Sequence, residues 1–251
     1  MNLKNKNCLI TGSAKGIGKA FAHTFAEKGT NLLLLDINKT KLEKLKEQLL
    51  QKHPKLIIET IKIDLTNAQK IKDLAEAFNK ENLPIHVLIN NAGIGIYKDL
   101  EEQDLASWEK AWQLNVTAPF LLTKYLLPNL GAAGKSEKNE RPYVLNTGSG
   151  CGLKGKAGRA SYCTTKFALR GLSLTLAKEL EKKAQVVHLA LGSVLTEFGP
   201  LEVTDKKDLC QKGKCYLSPR EVAEKVVELI EKDYARPEFE MYPKGYWESF
   251  D

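Results

Sequence analysis

The sequence predicts an α/β protein, a single-domain doubly wound parallel sheet of about seven strands with helices on both faces. Three observations lead there. Short runs that are apolar throughout alternate with longer segments of helical period, the pattern of strands buried on both faces and each followed by a helix. The first run ends in a glycine-rich turn, TGSAKGIG, and the second ends in an acid, Asp36. The chain's 251 residues fit one large domain, and 43% apolar with 27% charged residues is the balance of a sizeable core.

NCLIT (7–11) is too short for a helix and runs into glycine, so it reads as the first strand; 16–28 repeats apolar residues at helical spacing. NLLLLD (31–36) is the second strand and 39–51 the second helix. LIIETIKID (56–64) and HVLIN (86–90) are the next two strands, separated by a helix over 67–80. A pair of helices is expected over 101–130, with Trp108 and Trp112 on one packed face. YVLNT (143–147), a helix over 160–183, VVHLALG (186–192), a helix over 218–232 and a weaker strand, EFEMY (238–242), complete the alternation. A right-handed crossover at each step gives three layers.

Three segments break the rhythm. GAAGKSEKNER (131–141) reads as an exposed loop. Residues 193–217 have weak periodicity and follow a strand's carboxyl end, so they read as a substrate-loop insertion beside the ligand crevice, with Phe198, Leu201 and Val203 as its apolar contribution. Residues 233–251 are aromatic and proline-rich, a tail docked on the body of the one domain that spans 1–251.

Composition narrows the function. The net charge of +7 raises nucleic acid as a partner, but the lysines are interleaved with glutamates, as in KLEKLKEQLLQK, which is a solvated helix face. No nucleic-acid partner is expected. The five cysteines are odd in number and lack a CxxC pair, which argues against a disulfide framework or a zinc site and for a reducing compartment. His23, His53, His86 and His188 show no ligand pattern, so no metal is expected. The N-terminus has no signal-like apolar region, and no apolar stretch approaches the roughly 18 residues that span a bilayer. A cytoplasmic protein with no membrane partner is the expectation.

Gly12, Gly16 and Gly18 stand in a GxxxGxG turn with Ser13, Lys15 and Ile17 between them, after the first strand and at the start of a helix. Glycine permits the tight turn and the close approach of backbone to a pyrophosphate, and the helix N-terminus supplies amide donors. Asp36 ends the next strand, where a carboxylate accepts hydrogen bonds from a ribose hydroxyl and repels a 2′-phosphate. NAD is therefore preferred, and Lys15, which could pair with that phosphate, keeps NADP possible.

SYCTTK (161–166) sets Tyr162 four residues before Lys166. Alone, such a pair reads first as an aliphatic–aromatic contact on a surface helix. The rest of the chain changes its weight. TGSAKGIG, Asp64 in IKIDLT, NNAG (90–93), Asn115 in QLNVTAPF, and Ser149 in NTGSGCG, 13 residues before Tyr162, stand in order along the chain. Together they resemble the short-chain dehydrogenase/reductase family, from about residue 5 to about residue 232 and in the branch of about this length.

The resemblance implies a Rossmann fold and an NAD(P)-dependent oxidoreductase that interconverts a secondary alcohol and a ketone. It makes Asn115, Ser149, Tyr162 and Lys166 the catalytic set. Asp64 with Leu65 would contact the adenine, and Asn91, Ala92 and Gly93 would lie against the adenosine half. Gly192, Val194 and Thr196 would wall the nicotinamide carboxamide. The chemistry fits the spacing: residues at i and i+4 share a helix face, so the Lys166 ammonium, together with the nicotinamide's own positive charge, can lower the Tyr162 phenol below its ordinary value of about 10. Ser149 would hold the substrate oxygen, Lys166 also the nicotinamide ribose, and Asn115 a relaying water. A small-molecule carbonyl or alcohol is the expected substrate. A homodimer or homotetramer through 101–130 and 160–183 is also implied, and Phe167, Leu169, Leu172, Leu174 and Leu176 give the second helix apolar surface beyond one stripe. An alternative is a dinucleotide-binding sensor or scaffold without catalysis, against which the complete catalytic set argues. Two features depart from the family: Leu191 stands where a proline is usual, and the ending EFEMYPKGYWESFD replaces the glycine-rich one.

Overall fold

The apolar runs pair into one sheet. The computed structural model describes residues 1–135, 140–211 and 215–247. Its strands are β1 (Asn7–Thr11), β2 (Asn31–Asp36), β3 (Ile58–Lys62), β4 (Val87–Asn90), β5 (Tyr143–Thr147), β6 (Gln185–Leu191) and β7 (Glu238–Met241). They lie in the order β3-β2-β1-β4-β5-β6-β7, with every neighbouring pair parallel. This is the expected Rossmann-like sandwich, and the strand order reverses between β1 and β4, where a crevice opens at the carboxyl ends.

Period-two burial explains why these strands read as continuous apolar runs. Cys8, Ile10, Leu32, Leu34, Val187 and Leu189 face one side, where they meet Phe21 and Phe25 of α1 (Gly16–Glu27), Leu42, Leu45 and Leu49 of α2 (Lys39–Lys52), and Val222, Val226 and Ile230 of α9 (Pro219–Glu231). Leu9, Leu33, Leu35, Leu88, Val144 and Val186 face the other, against Ile71 and Phe78 of α3 (Ala68–Lys80), Leu121 and Leu122 of α5 (Ala118–Tyr125) and Leu130 of α6 (Leu127–Lys135). Each such side chain contributes about 1.5–3 kcal/mol on burial. Asn38, Asn67 and Ser218 cap α2, α3 and α9 by accepting backbone N–H bonds from Lys41, Lys70 and Glu221.

Three expectations are corrected. The helical region over 101–130 is not a simple pair: α4 (Leu105–Trp112) runs through a π turn (Gln113–Thr117) into α5, and α6 follows. Pro119 supplies the reason. It lacks the N–H that would reach the Asn115 carbonyl, so the ladder widens there. α6 also carries helix to Lys135, into the segment read as a loop, of which 136–139 lie outside the described residues. Within 193–217 a helix, α8 (Val203–Gln211), stands where irregular chain was expected. Its only residue buried below the surface is Lys206, whose ammonium donates to the carbonyls of Thr196 and Phe198, both at 2.6 Å. A helix seated on a charged side chain leaves no apolar stripe to read. Part of the tail is docked, with Pro243 and Tyr246 against Gly192 and Tyr246 also against Gly150; 248–251 lie outside the described residues. No helix among the described residues is long and apolar enough to cross a membrane.

Candidate active site

A cavity of about 630 Å³ opens along the carboxyl ends of β1, β2, β4, β5 and β6. At one end, Gly12 and Gly16 take φ of +62° and +56°, and a Cβ at Gly12 would fall 2.9 Å from the Ala92 Cα. Only glycine fits there. A Cβ on Gly18 would run into the Gly12 carbonyl, so Gly18 serves the packing of α1 onto the turn and does not line the cavity. Ser13 is also turned away, fully buried and donating its hydroxyl to the Leu35 carbonyl at 3.2 Å. The other turn residues, Lys15 and Ile17, line the cavity.

Asp36 stands at the cavity edge, its two oxygens accepting from Ala14 N at 3.1 Å and Asn38 N at 3.0 Å. Lys15 reaches across the opening to Glu197 at 3.5 Å. Asp64 accepts from the Thr66 hydroxyl at 2.7 Å and the Thr66 amide at 3.0 Å, which together hold its carboxyl below the usual range. Asn91, Ala92 and Gly93 line the cavity with Leu65. The Asn91 side chain is engaged with the turn itself, donating to the Thr11 and Gly12 carbonyls at 3.0 and 3.2 Å. Thr11 is a residue that sequence reading passed over. Its hydroxyl accepts from Asn91 N and Ala92 N at 2.9 and 3.0 Å and so ties the end of β1 to the end of β4.

At the other end lie three of the four expected catalytic side chains. Ser149 follows β5 and accepts from Cys151 N at 3.2 Å, and its hydroxyl acts on the phenols of both Tyr162 and Tyr246, pulling each downward. α7 (Ala160–Glu179) presents Tyr162 and Lys166, the Lys166 Nζ 5.7 Å from the Tyr162 ring centre. The Lys166 ammonium is 5% exposed and donates to the Thr147 carbonyl at 2.8 Å. Asn115 lies behind them, in the π turn and outside the cavity lining. Its Oδ1 accepts from Ile94 N at 2.9 Å, and its Nδ2 donates to Ile94 O at 2.9 Å and to Thr165 Oγ1 at 3.0 Å. Both donors are engaged with protein, and one Oδ1 lone pair is left. Gly192, Val194 and Thr196 also line the cavity. Leu191 closes β6 by pairing with Met241 of β7, so sheet pairing holds the strand end where the family has proline.

A family profile described as short chain dehydrogenase matches residues 6–207. The chain belongs to this family. It is an NAD(P)-dependent oxidoreductase. The dehydrogenase is similar to the 3-oxoacyl-(acyl-carrier-protein) reductase FabG of Thermotoga maritima, 31% identical over 209 residues, covering 82% of this chain and 79% of that one. It is similar to an NAD-dependent glycerol dehydrogenase of Listeria innocua, 28% identical over 199 residues, covering 79% and 74% of the two chains. Among solved structures, the alcohol dehydrogenase of the archaeon Thermococcus sibiricus complexed with 5-hydroxy-NADP superposes with a TM-score of 0.82 at 26% identity, covering 97% of this chain and 98% of that one.

The electrostatics of the dehydrogenase's site differ from expectation in one respect. Burial pushes the Tyr162 phenol well above its ordinary value and the Tyr97 phenol beside it pushes the same way, while the Ser149 hydroxyl pulls it down. Lys166 is itself pulled down to about 8 by burial. The protein alone therefore keeps the phenol protonated, because desolvation at this depth outweighs the ammonium. Tyr97 and Phe198 pack on the Tyr162 ring at 5.7 and 5.8 Å between centres. Those rings, Tyr246, Arg159 and Cys151 complete this end of the cavity. Cys8 is buried in the sheet, whereas the Cys151 thiol at the cavity is pulled down, first by the S–H of Cys163 and also by Arg159. Of the histidines, His86 accepts from Asn7 N at 3.0 Å and His188 is wholly buried in β6, each held near 4 by burial. No cluster of metal ligands occurs among the described residues.

Proposed function

We propose that the dehydrogenase interconverts a secondary alcohol and a ketone, with Tyr162 as general acid and base and NAD preferred over NADP. The observation that carries this is the meeting of Ser149, Tyr162 and Lys166 in one cavity with the glycine turn. The residues fit a dinucleotide. Gly12 and Gly16 open a cradle that side chains would fill, α1 points its N-terminus there, and Asp36 stands ready for ribose hydroxyls. When bound, the nicotinamide gives or takes a hydride.

The chain's own groups supply the rest. Ser149 and Tyr162 offer two hydrogen bonds to a carbonyl oxygen, which orients it and stabilises the charge that develops there. The phenol, kept protonated by burial, is in the form that carbonyl reduction needs, and its proton passes to the oxygen as the neighbouring carbon gains hydride. The Lys166 ammonium offsets the phenolate left behind and is placed to hold ribose hydroxyls. The free lone pair of Asn115 suits a water on the path that returns the proton. NAD preference is supported by Asp36 and by the pairing of Lys15 with Glu197, which engages the one turn cation that would favour NADP. The T. sibiricus structure carries an NADP analogue and the Listeria relative is NAD-dependent, so both are tested.

The reading takes 1–251 as one NAD(P)-binding domain, with 193–217 shaping the substrate side and the tail closing it. It includes a two-fold assembly through α4, α5 and α7, supported by Phe120 and Phe167, which are 40% and 44% exposed there. The free cysteines support a reducing, cytoplasmic setting. The test is NADH and NADPH oxidation against a panel of ketones. Turnover with NADH favoured supports the reading; NADH binding without turnover of any ketone overturns it.

A further inference from the structure

Arg159 is the arginine that lines this cavity, and it has no carboxylate partner among the described residues. Its guanidinium lies 5.0 Å from the Tyr97 ring centre, and Nη1 donates only to the Cys151 sulfur, at 3.9 Å. At 3.9 Å that contact is long, and the sulfur, drawn toward its anion by Cys163 and Arg159, competes with a ligand for a guanidinium that lines the cavity. Arg159 is the residue immediately before α7, three ahead of Tyr162, and both line this end of the cavity.

The surroundings favour an anion. The carboxylates lining the cavity are Asp36 and Asp64, on the dinucleotide half, and Glu197, which is paired with Lys15. Around Arg159 stand phenols instead. Tyr97 is pushed up to about 12 by burial and Tyr246 is pushed up as well, so both are neutral donors. The first turn of α7 has no acid and no side-chain cap, which adds a positive field. A fixed guanidinium among neutral donors suits a ligand rich in acceptors.

We propose that Arg159 selects the substrate: a carbonyl compound, or its alcohol, that carries a carboxylate or other oxyanion a few bonds from the reacting carbon. The proposal rests on the oxidoreductase reading of this cavity. In the reducing direction a keto acid gains hydride at carbon and the Tyr162 proton at oxygen, and leaves as the hydroxy acid with its carboxylate on Arg159 throughout.

The test has a binding arm and a turnover arm. Calorimetry of butyrate and of neutral butyramide, titrated into the NADH-loaded enzyme, reads the anion site without chemistry. Butyrate should bind more tightly, and Arg159→Gln should weaken butyrate by about 10- to 100-fold with little change for butyramide. Arg159→Lys should fall between them, because it keeps the charge and loses the fork. Cys151→Ala, which removes the competing sulfur, should tighten butyrate. In turnover, the ratio of kcat/KM for acetoacetate over methyl acetoacetate should fall by about tenfold or more in Arg159→Gln. Equal affinity for butyrate and butyramide, or a butyrate affinity untouched by Arg159→Gln, overturns the anion site. Selective butyrate binding without turnover of any ketone supports it and overturns the catalytic reading instead.

Discussion

Lys166 drives its ammonium into the Thr147 carbonyl at 2.8 Å, at 5% exposure and with no acidic partner among the described residues. Burial is what pulls it from 10.5 to about 8. The sign for stability follows. Below pH 8 both folded and unfolded chains carry the proton and the folded state bears the cost of a buried charge. Between about 8 and 10.5 only the unfolded chain is protonated, so this group makes stability rise with pH. Lys166→Met should therefore raise Tm at pH 7 by about 2–4 °C, with the gain shrinking as pH climbs through that window. Melting curves at several pH values check it, and activity should be lost at all of them.

Tyr162→Phe keeps the ring that packs against Tyr97 and Phe198 and removes the proton. Turnover should drop by about 100- to 10,000-fold, with dinucleotide affinity unchanged. Single-turnover kinetics beside a fluorescence titration of NADH separates the two effects. A variant that keeps most of its rate would leave another group as the acid.

Asp36 and Lys15 pull cofactor choice in opposite directions. Asp36→Ala should move the kcat/KM ratio toward NADP by about tenfold, about 1.4 kcal/mol, and Asp36→Arg further. Glu197→Gln should release Lys15 and shift the ratio the same way by less, because both partners are more than half exposed and screened. Initial rates with NADH and NADPH at low and high salt provide the check.

Asn115 joins the chain after β4 to α7 through three hydrogen bonds. Asn115→Ala should cost on the order of 2 kcal/mol in stability, because Ile94 and Thr165 lose buried partners. Urea midpoints measure that. A residue acting only as a proton relay would change turnover and leave the midpoint where it was.

Phe167→Glu with Phe120→Glu should shift the protein to the monomer in sedimentation at micromolar concentration, since both rings are exposed on the faces assigned to the assembly. A wild-type protein already at 28.0 kDa would remove that interface.

The central strands were legible because they are buried on both faces, so β1, β2 and β5 begin and end at the residues their composition marks. The glycine turn and Tyr162–Lys166 were legible because backbone geometry and helical spacing leave few residue choices. Other features were less legible. Pro119 marks an interruption in the helix but not that the ladder widens at Asn115, α8 is seated on a buried lysine, and the hydroxyl of Thr11 matters only once β4 lies beside β1.

The sequence by itself determined the layer architecture, the glycine turn and the spacing of Tyr162 and Lys166, since each depends on chemistry within a few residues or on a period of burial. The tertiary structure alone decided what surrounds them. It brought Tyr246 from the tail to Ser149, Tyr97 and Phe198 to Tyr162, and Glu197 to Lys15. It also left Arg159 lining the cavity without a carboxylate partner among the described residues. These contacts join residues from distant parts of the chain, and the depth at which they meet sets the charge on Tyr162 and Lys166. Desolvation belongs to a place in the fold and has no signature in a neighbouring residue.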